Sequence, residues 1–273
     1  MEQTTIGQVA SWLDATFHPE LQEDYDNAGF LVGERQVPCT GILVALDLTP
    51  AVADEAITLG FNLIVTHHPL IFSGLKRITS DNEAGRTVIS LIRHGIAVYA
   101  AHTNLDNLPW GVNGILSEKL GLQNTSILKP FSTPHSPLST PAGAGMVGEL
   151  PEPMEVDAFL QKVKQVLRIP TLRTSPLPTT HYSLPTVKKI ALCGGSGASF
   201  IADALAAKAD IYITADLKYH DFQRAEGRII LVDAGHYETE QFAKEIFYRA
   251  ISEKFRNFAC RISSRQQSLV QYI

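Results

Sequence analysis

The sequence predicts an α/β protein of two lobes, on three observations. Runs rich in β-formers alternate with helix-patterned runs over residues 41–121 and again over 188–255. A proline-rich middle of different texture separates the two blocks. Of the 273 residues, 45% are hydrophobic and 19% charged, enough apolar surface for a full core.

The elements follow in order. Ile6, Val9, Trp12, Leu13 and Phe17 recur at helical spacing, and Thr5 with Gln8 reads as a capping box. This opening is a structural helix and not a signal peptide. Tyr25-Asp26-Asn27-Ala28-Gly29 is rich in turn formers. Gly41 to Leu46 reads as a strand ending at Asp47. Thr49 caps the next helix, with Pro50 in its first position and Gly60 as its stop. Phe61 to Val65 is a strand that runs into His67-His68. Glu83 to His94 is a helix stopped by Gly95, Ile96 to Ala101 a strand ending at His102, and Asn113 to Leu120 a short helix closed by Gly121.

Ser126 to Gly145 carries Pro130, Pro134, Pro137 and Pro141 among Ser and Thr, and Pro170 to Pro185 is similar. Both stretches read as loops, too proline-rich for central strands. Between them a helix from about Glu155 to Arg168 puts Val156, Phe159, Leu160, Val163, Val166 and Leu167 on one face. Alternation then resumes. Ile190 to Cys193 is a strand, Gly194-Gly195-Ser196-Gly197 a turn, and Ser199 to Lys208 a helix. Ile211 to Thr214 is a strand ending at Asp216, followed by a helix over Lys218 to Glu226. Ile229 to Val232 is a strand ending at Asp233, before a long helix from Glu238 to Phe255 and a last strand near Leu269 to Tyr272. The lobes this implies are 1–125 with 236–273, and 126–235.

Bulk properties exclude several function classes. The net charge of −5 argues against a general nucleic-acid binder, whose affinity comes from Lys and Arg neutralising phosphates. Cys39, Cys193 and Cys260 are odd in number and widely spaced, which fits a reducing cytoplasm and no disulfide framework. No apolar run approaches the ~18 residues of a membrane span. Neither a G-x-S-x-G motif nor a cysteine framed by a histidine is present, so serine and cysteine hydrolases have little support.

Chemistry gathers at three strand ends: Thr66-His67-His68-Pro69, His102-Thr103-Asn104-Leu105-Asp106 and His236-Tyr237-Glu238-Thr239-Glu240. In open α/β sheets ligands bind outside the carboxyl ends of the strands. Imidazoles and carboxylates meeting there suit divalent ions. Adjacent imidazoles at 67 and 68 can each address a different metal. His102 can be a ligand, an orienting group or a proton-transfer group. His236 and Glu240 stand four apart, on one face of a helical turn. Gly194 to Gly197, between a strand and a helix, could hold an anion such as phosphate, or serve only as a tight turn. Asp47 and Asp216 also end strands and could stand behind the metal ligands or face the substrate, though capping is the more ordinary role. The apolar loop segments Pro69-Leu70-Ile71-Phe72 and Leu108-Pro109-Trp110 predict a homo-oligomer that covers them.

Together, Asp26-Asn27-x-Gly29, Thr66-His67-His68-Pro69, His102-x-x-x-Asp106, Cys193 to Gly197, Thr214 to His220 and Gly235-His236-x-x-x-Glu240 resemble the GTP cyclohydrolase I type 2 family, also called NGG-one-interacting-factor-three-like. The motifs span about residues 25 to 240. The resemblance implies two α/β lobes with a dinuclear metal site between them and ring-shaped hexamers. It implies His67, His68, Asp106, His236 and Glu240 as ligands of two divalent ions per subunit (zinc, iron or manganese), with His102 as a nearby catalytic residue. Tyr25 stands where the family often has Trp, and Ala215 where it often has Gly. The expectation is a cytoplasmic dinuclear-metal hydrolase acting on a small nucleotide-like substrate. The alternative is a metal-binding regulatory or scaffold ring, in its furthest form DNA-associated.

Overall fold

The computed structural model describes residues 3–131, 141–177 and 186–273. In chain order its first elements are α1 (Ile6–Phe17), β1 (Gly29–Val32), β2 (Gly41–Ala45), α2 (Pro50–Leu59), β3 (Leu63–Thr66), α3 (Glu83–Arg93), β4 (Ala97–Ala100), the single turn α4 (Thr103–Asp106) and α5 (Val112–Lys119). Next come β5 (Gln123–Pro130), β6 (Gly143–Glu155), α6 (Val156–Leu167), β7 (Arg173–Thr174), β8 (Thr186–Ser196) and α7 (Ile201–Ala206). The chain continues through β9 (Ile211–Ala215), β10 (Ile230–Asp233), α8 (His236–Glu240), α9 (Ala243–Lys254) and β11 (Ala259–Ile262). They form two compact units, Met1–Leu105 with Ala243–Gln267, and Asp106–Phe242 with Ser268–Ile273. The protein is therefore mixed α/β with two sheets. Among the described residues no helix is long and apolar enough to cross a membrane.

The first unit holds a sheet of order β1-β4-β3-β2-β11. β11, β2, β3 and β4 run parallel, and β1 closes the edge antiparallel to β4. β2, β3 and β4 are buried along their whole length, as unbroken apolar runs in a helix-covered parallel sheet should be. Leu43, Val52, Ala56, Ile64, Leu91 and Val98 form its core with their neighbours. Each large aliphatic side chain there contributes about 1.5–3 kcal/mol of burial. The caps are as read: Thr5 and Gln8 make both capping-box bonds, and Thr49 accepts from Val52 N ahead of Pro50. Edge-on contacts of Phe17 with Phe247 and Trp12 with Phe255, each 5.3 Å between centroids, hold α9 in this unit. Register puts Ala45, Thr66 and Ala100 side by side. The residues just after them therefore leave the sheet from one edge.

The second unit holds a sheet of order β5-β6-β8-β9-β10-β7. β8, β9 and β10 are parallel, while β5, β6 and β8 form an antiparallel meander and β7 pairs antiparallel with β10. α6 buries Val156, Phe159, Val163 and Leu167, the face its periodicity marks.

Several elements differ from the sequence expectation. The stretch read as a loop from Ser126 enters β5 as far as Pro130, and β6 begins at Gly143; residues 132–140 and 178–185 lie outside the described residues. Pro130 is tolerated because β5 is an edge strand, needing ladder bonds on one side only. β6 carries Pro151 and Pro153 where its register against β8 shifts between Glu149 and Met154, a break in the ladder that needs no N–H. The helix read over Lys218 to Glu226 is a 3-10 helix, Tyr219–Ala225. The long helix read over Glu238 to Phe255 is two helices, α8 and α9. Near the break, Gln241 Nε2 donates to Leu167 O at 2.9 Å, and Lys119 Nζ lies 4.6 Å from the Phe242 ring centroid. No strand forms over Leu269 to Tyr272; the last strand is β11. β1, which the turn-rich reading of residues 25–29 did not anticipate, is only four residues long and has no alternating burial.

Candidate metal centre

In the first unit three histidines leave the carboxyl edge of the sheet. His67 and His68 follow β3, and His102 follows β4 by two residues. Their ring centroids lie 5.0 Å apart for 67 and 68, 5.2 Å for 67 and 102, and 5.4 Å for 68 and 102. Each offers one ring nitrogen within 4.8 Å of the others, a spacing that could hold a metal ion.

Each ring is turned by an oxygen at Nδ1. His67 Nδ1 is 2.9 Å from Ala101 O, His68 Nδ1 is 2.6 Å from Asp47 Oδ1, and His102 Nδ1 is 2.8 Å from Asp26 Oδ1. A carbonyl or carboxylate oxygen can only accept, so Nδ1–H donates and the lone pair sits on Nε2. That tautomer is the one an imidazole ligand needs, and such partners orient metal-binding histidines. Asp47 is in turn held by Gln266 Nε2 at 3.2 Å. Asp26 accepts from His102, from Thr103 N at 3.0 Å and Oγ1 at 2.5 Å, and from Asn27 N at 2.7 Å. Burial alone would raise the Asp26 pKa. Bonds from His102 and Thr103 outweigh it and hold the group well below the usual carboxylate range.

In the second unit His236 and Glu240 lie on α8, one turn apart, with His236 Nε2 3.0 Å from Glu240 Oε2. His236 Nδ1 donates to Asp216 Oδ2 at 2.7 Å. Asp216 follows β9 with φ +57°, a left-handed conformation that Asp adopts more readily than most residues. Asp233, buried at the end of β10, fixes both loops. Its Oδ2 accepts from Leu217 N at 3.1 Å and Arg173 Nη1 at 2.9 Å, and its Oδ1 from Gly235 N at 3.3 Å.

The glycine turn packs directly on Glu240. Gly195 has φ +62°, and a Cβ there would come 2.1 Å from Glu240 Oε1 and 3.2 Å from His236 Nε2. Only glycine fits both the backbone and the space. Gly194 N donates to Asn113 Oδ1 at 2.8 Å and Gly195 N to Thr239 Oγ1 at 3.0 Å. Two amides of the stretch read as a phosphate holder are thus already engaged by the protein. Asn113 also donates from Nδ2 to Asp106 O at 3.0 Å, which ties the Asp106 backbone to this turn. Burial, then the Asp106 and Glu240 charges, pushes the Cys193 thiol far up.

The structure thus groups His67, His68 and His102 in one unit, and His236 with Glu240 in the other, where Asp106 also lies. Sequence reasoning ranked a place behind the ligands second to capping for Asp47 and Asp216, and did not single out Asp26 as the partner of His102. Asp47 and Asp216 orient His68 and His236 instead of capping helices; Thr49 takes the cap of α2. Asp26 carried only a turn signal, and its pairing with His102 spans 76 residues. An acid within two residues of a parallel strand end was the one usable sign for Asp47 and Asp216.

Comparison with known proteins gives concordant relatives. The family described as Duf34/NIF3 (NGG1p interacting factor 3) matches residues 4–268. A protein of Clostridium perfringens named "GTP cyclohydrolase 1 type 2 homolog" is 39% identical over 223 residues, covering 81% of this chain and 80% of its own. One of the same name from Lactococcus lactis is 35% identical over 240 residues, covering 88% and 86%. Among solved structures, a hypothetical protein of Staphylococcus aureus is 31% identical with TM-score 0.88 and 100% of both chains covered. A Bacillus cereus protein related to NIF3 has the same score and coverage at 25% identity.

Proposed function

The chain belongs to the Duf34/NIF3 family, and on that premise we propose that it is a dinuclear-metal hydrolase acting on a nucleotide-like substrate. One observation carries the reading: His67, His68, His102 and His236 each turn Nδ1 to a protein oxygen, the arrangement that orients metal-binding imidazoles. In this reading His67, His68, Asp106, His236 and Glu240 bind two divalent ions. His102 stands beside them and moves a proton. Imidazole nitrogen with carboxylate oxygen suits zinc, iron or manganese. A bound pair of ions supplies Lewis acidity and brings the pKa of a water nucleophile towards neutrality. The protein's own part is to orient each donor through Asp26, Asp47, Asp216 and Ala101 O, and to keep Glu240 against Gly195.

The relatives' name, GTP cyclohydrolase 1 type 2 homolog, supports a purine nucleotide as the first substrate to try. We extend the proposal to a cytoplasmic homohexamer, which would cover the exposed Trp110. The test begins with metal analysis of protein purified without added metal, then a nucleotide hydrolysis screen with the metal found, then light scattering. About two ions per subunit, turnover abolished by chelation and a hexamer mass are expected. Metal-free protein, or turnover indifferent to chelators, would sink the hydrolase reading.

A further inference from the structure

Phe72, beside the His102 ring, is 47% exposed, and Tyr25, beside Phe72, is 66% exposed. Their ring centroids are 6.3 Å apart with the planes tilted by 53°. The Phe72 ring also meets His102 edge to face, 6.0 Å between centroids. Three consecutive residues assemble this arrangement. Tyr25 supplies one ring. Asp26 orients His102 through Nδ1. Asn27 Nδ2 donates to Ile71 O at 2.5 Å and so holds the backbone next to Phe72. Leu70 and Ile71 pack against the core of the unit, so Phe72 stands on a fixed base and not at the end of a loose loop.

Exposed aromatic surface held in place at a reaction site asks for an occupant of matching chemistry. The imidazoles beside it suit a polar, reacting group. The rings offer π-faces, which planar heterocycles stack on with little regard to their edge pattern. We infer that Phe72 and Tyr25 form a stacking platform for a planar heteroaromatic ring of the substrate, which brings the ring next to His102. The inference rests on the reading of the imidazole cluster as a reaction site. It adds what that reading lacks, a source of substrate selectivity outside the metal donors.

The test is equilibrium binding to the full chain loaded with Mn2+, by calorimetry, with three probes: GTP, UTP and inorganic tripolyphosphate. Wild type is expected to bind both nucleotides at least tenfold tighter than tripolyphosphate. Phe72→Ala should weaken the nucleotides about tenfold, equivalent to about 1.4 kcal/mol, and leave tripolyphosphate and Mn2+ binding unchanged. Phe72→Leu, which keeps apolar bulk without a ring, should lose as much; Phe72→Trp should not. Equal weakening of all three probes, or no ring preference in wild type, overturns the platform. A fall in particle mass for Phe72→Ala also overturns it, since the ring would then face a second copy of the chain. Turnover is followed in parallel. Ring preference lost in Phe72→Ala without hydrolysis by any variant upholds the platform and refutes the hydrolase. Hydrolysis without ring preference does the reverse.

Discussion

In the first unit three imidazoles hang from the carboxyl edge of a parallel sheet; in the second, one imidazole and a carboxylate ride on a five-residue helix pressed against a glycine turn. The first group inherits its geometry from strand register, because Ala45, Thr66 and Ala100 are locked side by side. The second depends on clearance, since Glu240 occupies the space a Cβ on Gly195 would take. Their orienting acids differ as well. The Asp26 side chain has no exposed surface, whereas that of Asp216 is 50% exposed. A sheet edge spreads its positional demand over many ladder bonds, while a turn concentrates it on one or two residues. The second group should therefore be the more fragile.

The largest effect is expected from Glu240→Ala. It removes the carboxylate that faces His236 Nε2 and is a proposed ligand of the two ions. Hydrolysis should fall by roughly a hundredfold or more, with at least one ion lost and the fold retained by circular dichroism. Full metal content with wild-type turnover would show that Glu240 is only a helix acid.

Gly195→Ala tests clearance without touching a donor. Left-handed backbone at a non-glycine residue costs about 1–2 kcal/mol, and here the methyl must also push Glu240 aside. Metal content and activity should drop towards those of Glu240→Ala. Gly227→Ala is the control, with φ +67° and nothing within 4 Å of the new Cβ. It should show the thermal destabilisation alone, a few °C, and keep its metal. If both variants behave alike, backbone strain explains everything and the clearance argument fails.

A smaller effect separates the orienting acids. Asp47→Asn and Asp216→Asn each remove the charge behind an imidazole proposed as a metal ligand, a change that typically lowers metal affinity about 10–100-fold. Asp47, 25% exposed, should fall at the upper end and Asp216, 50% exposed, at the lower. Metal titrations giving the opposite order would break the comparison drawn from burial.

The smallest effect concerns stability and pH. Burial would raise the pKa of Glu55 on α2, but bonds from Ser263, Ser264 and Arg265 lower it below the ordinary glutamate value of 4.5. A depressed carboxylate stabilises the fold above its unfolded pKa, and that contribution fades as pH falls through the folded value. Glu55→Gln should therefore melt no more than about 2 °C below wild type at neutral pH. The gap should close as the buffer is taken well below 4.5. A gap that persists in acid would mean Glu55 acts through packing.

Much of this protein was legible along the chain. The helices α1, α2, α3 and α6 announce themselves through caps and apolar faces, and β2, β3, β4, β9 and β10 through short apolar runs with turn signals on either side. The candidate donors were legible for a related reason: each follows a strand end where a polar residue has no packing role. The rest was not. β1 and β11 are edge strands of four residues with little burial pattern, so pairing alone makes them strands. The break between α8 and α9 is invisible to helical periodicity, because Gln241 and Phe242 have ordinary helix propensities and are held by distant partners.

The sequence by itself determined the α/β class, the limits of α1, α2, α3 and α6, and which residues could bind metal, since local propensity and periodicity act over a few neighbours. Tertiary structure alone decided which acid stands behind each imidazole and why Gly195 must be glycine. Asp26 with His102, Asp47 with His68, and Gly195 with Glu240 are pairings across 76, 21 and 45 residues. Such pairings exist only after the strands have found their register, and no pattern over a few neighbouring residues encodes them.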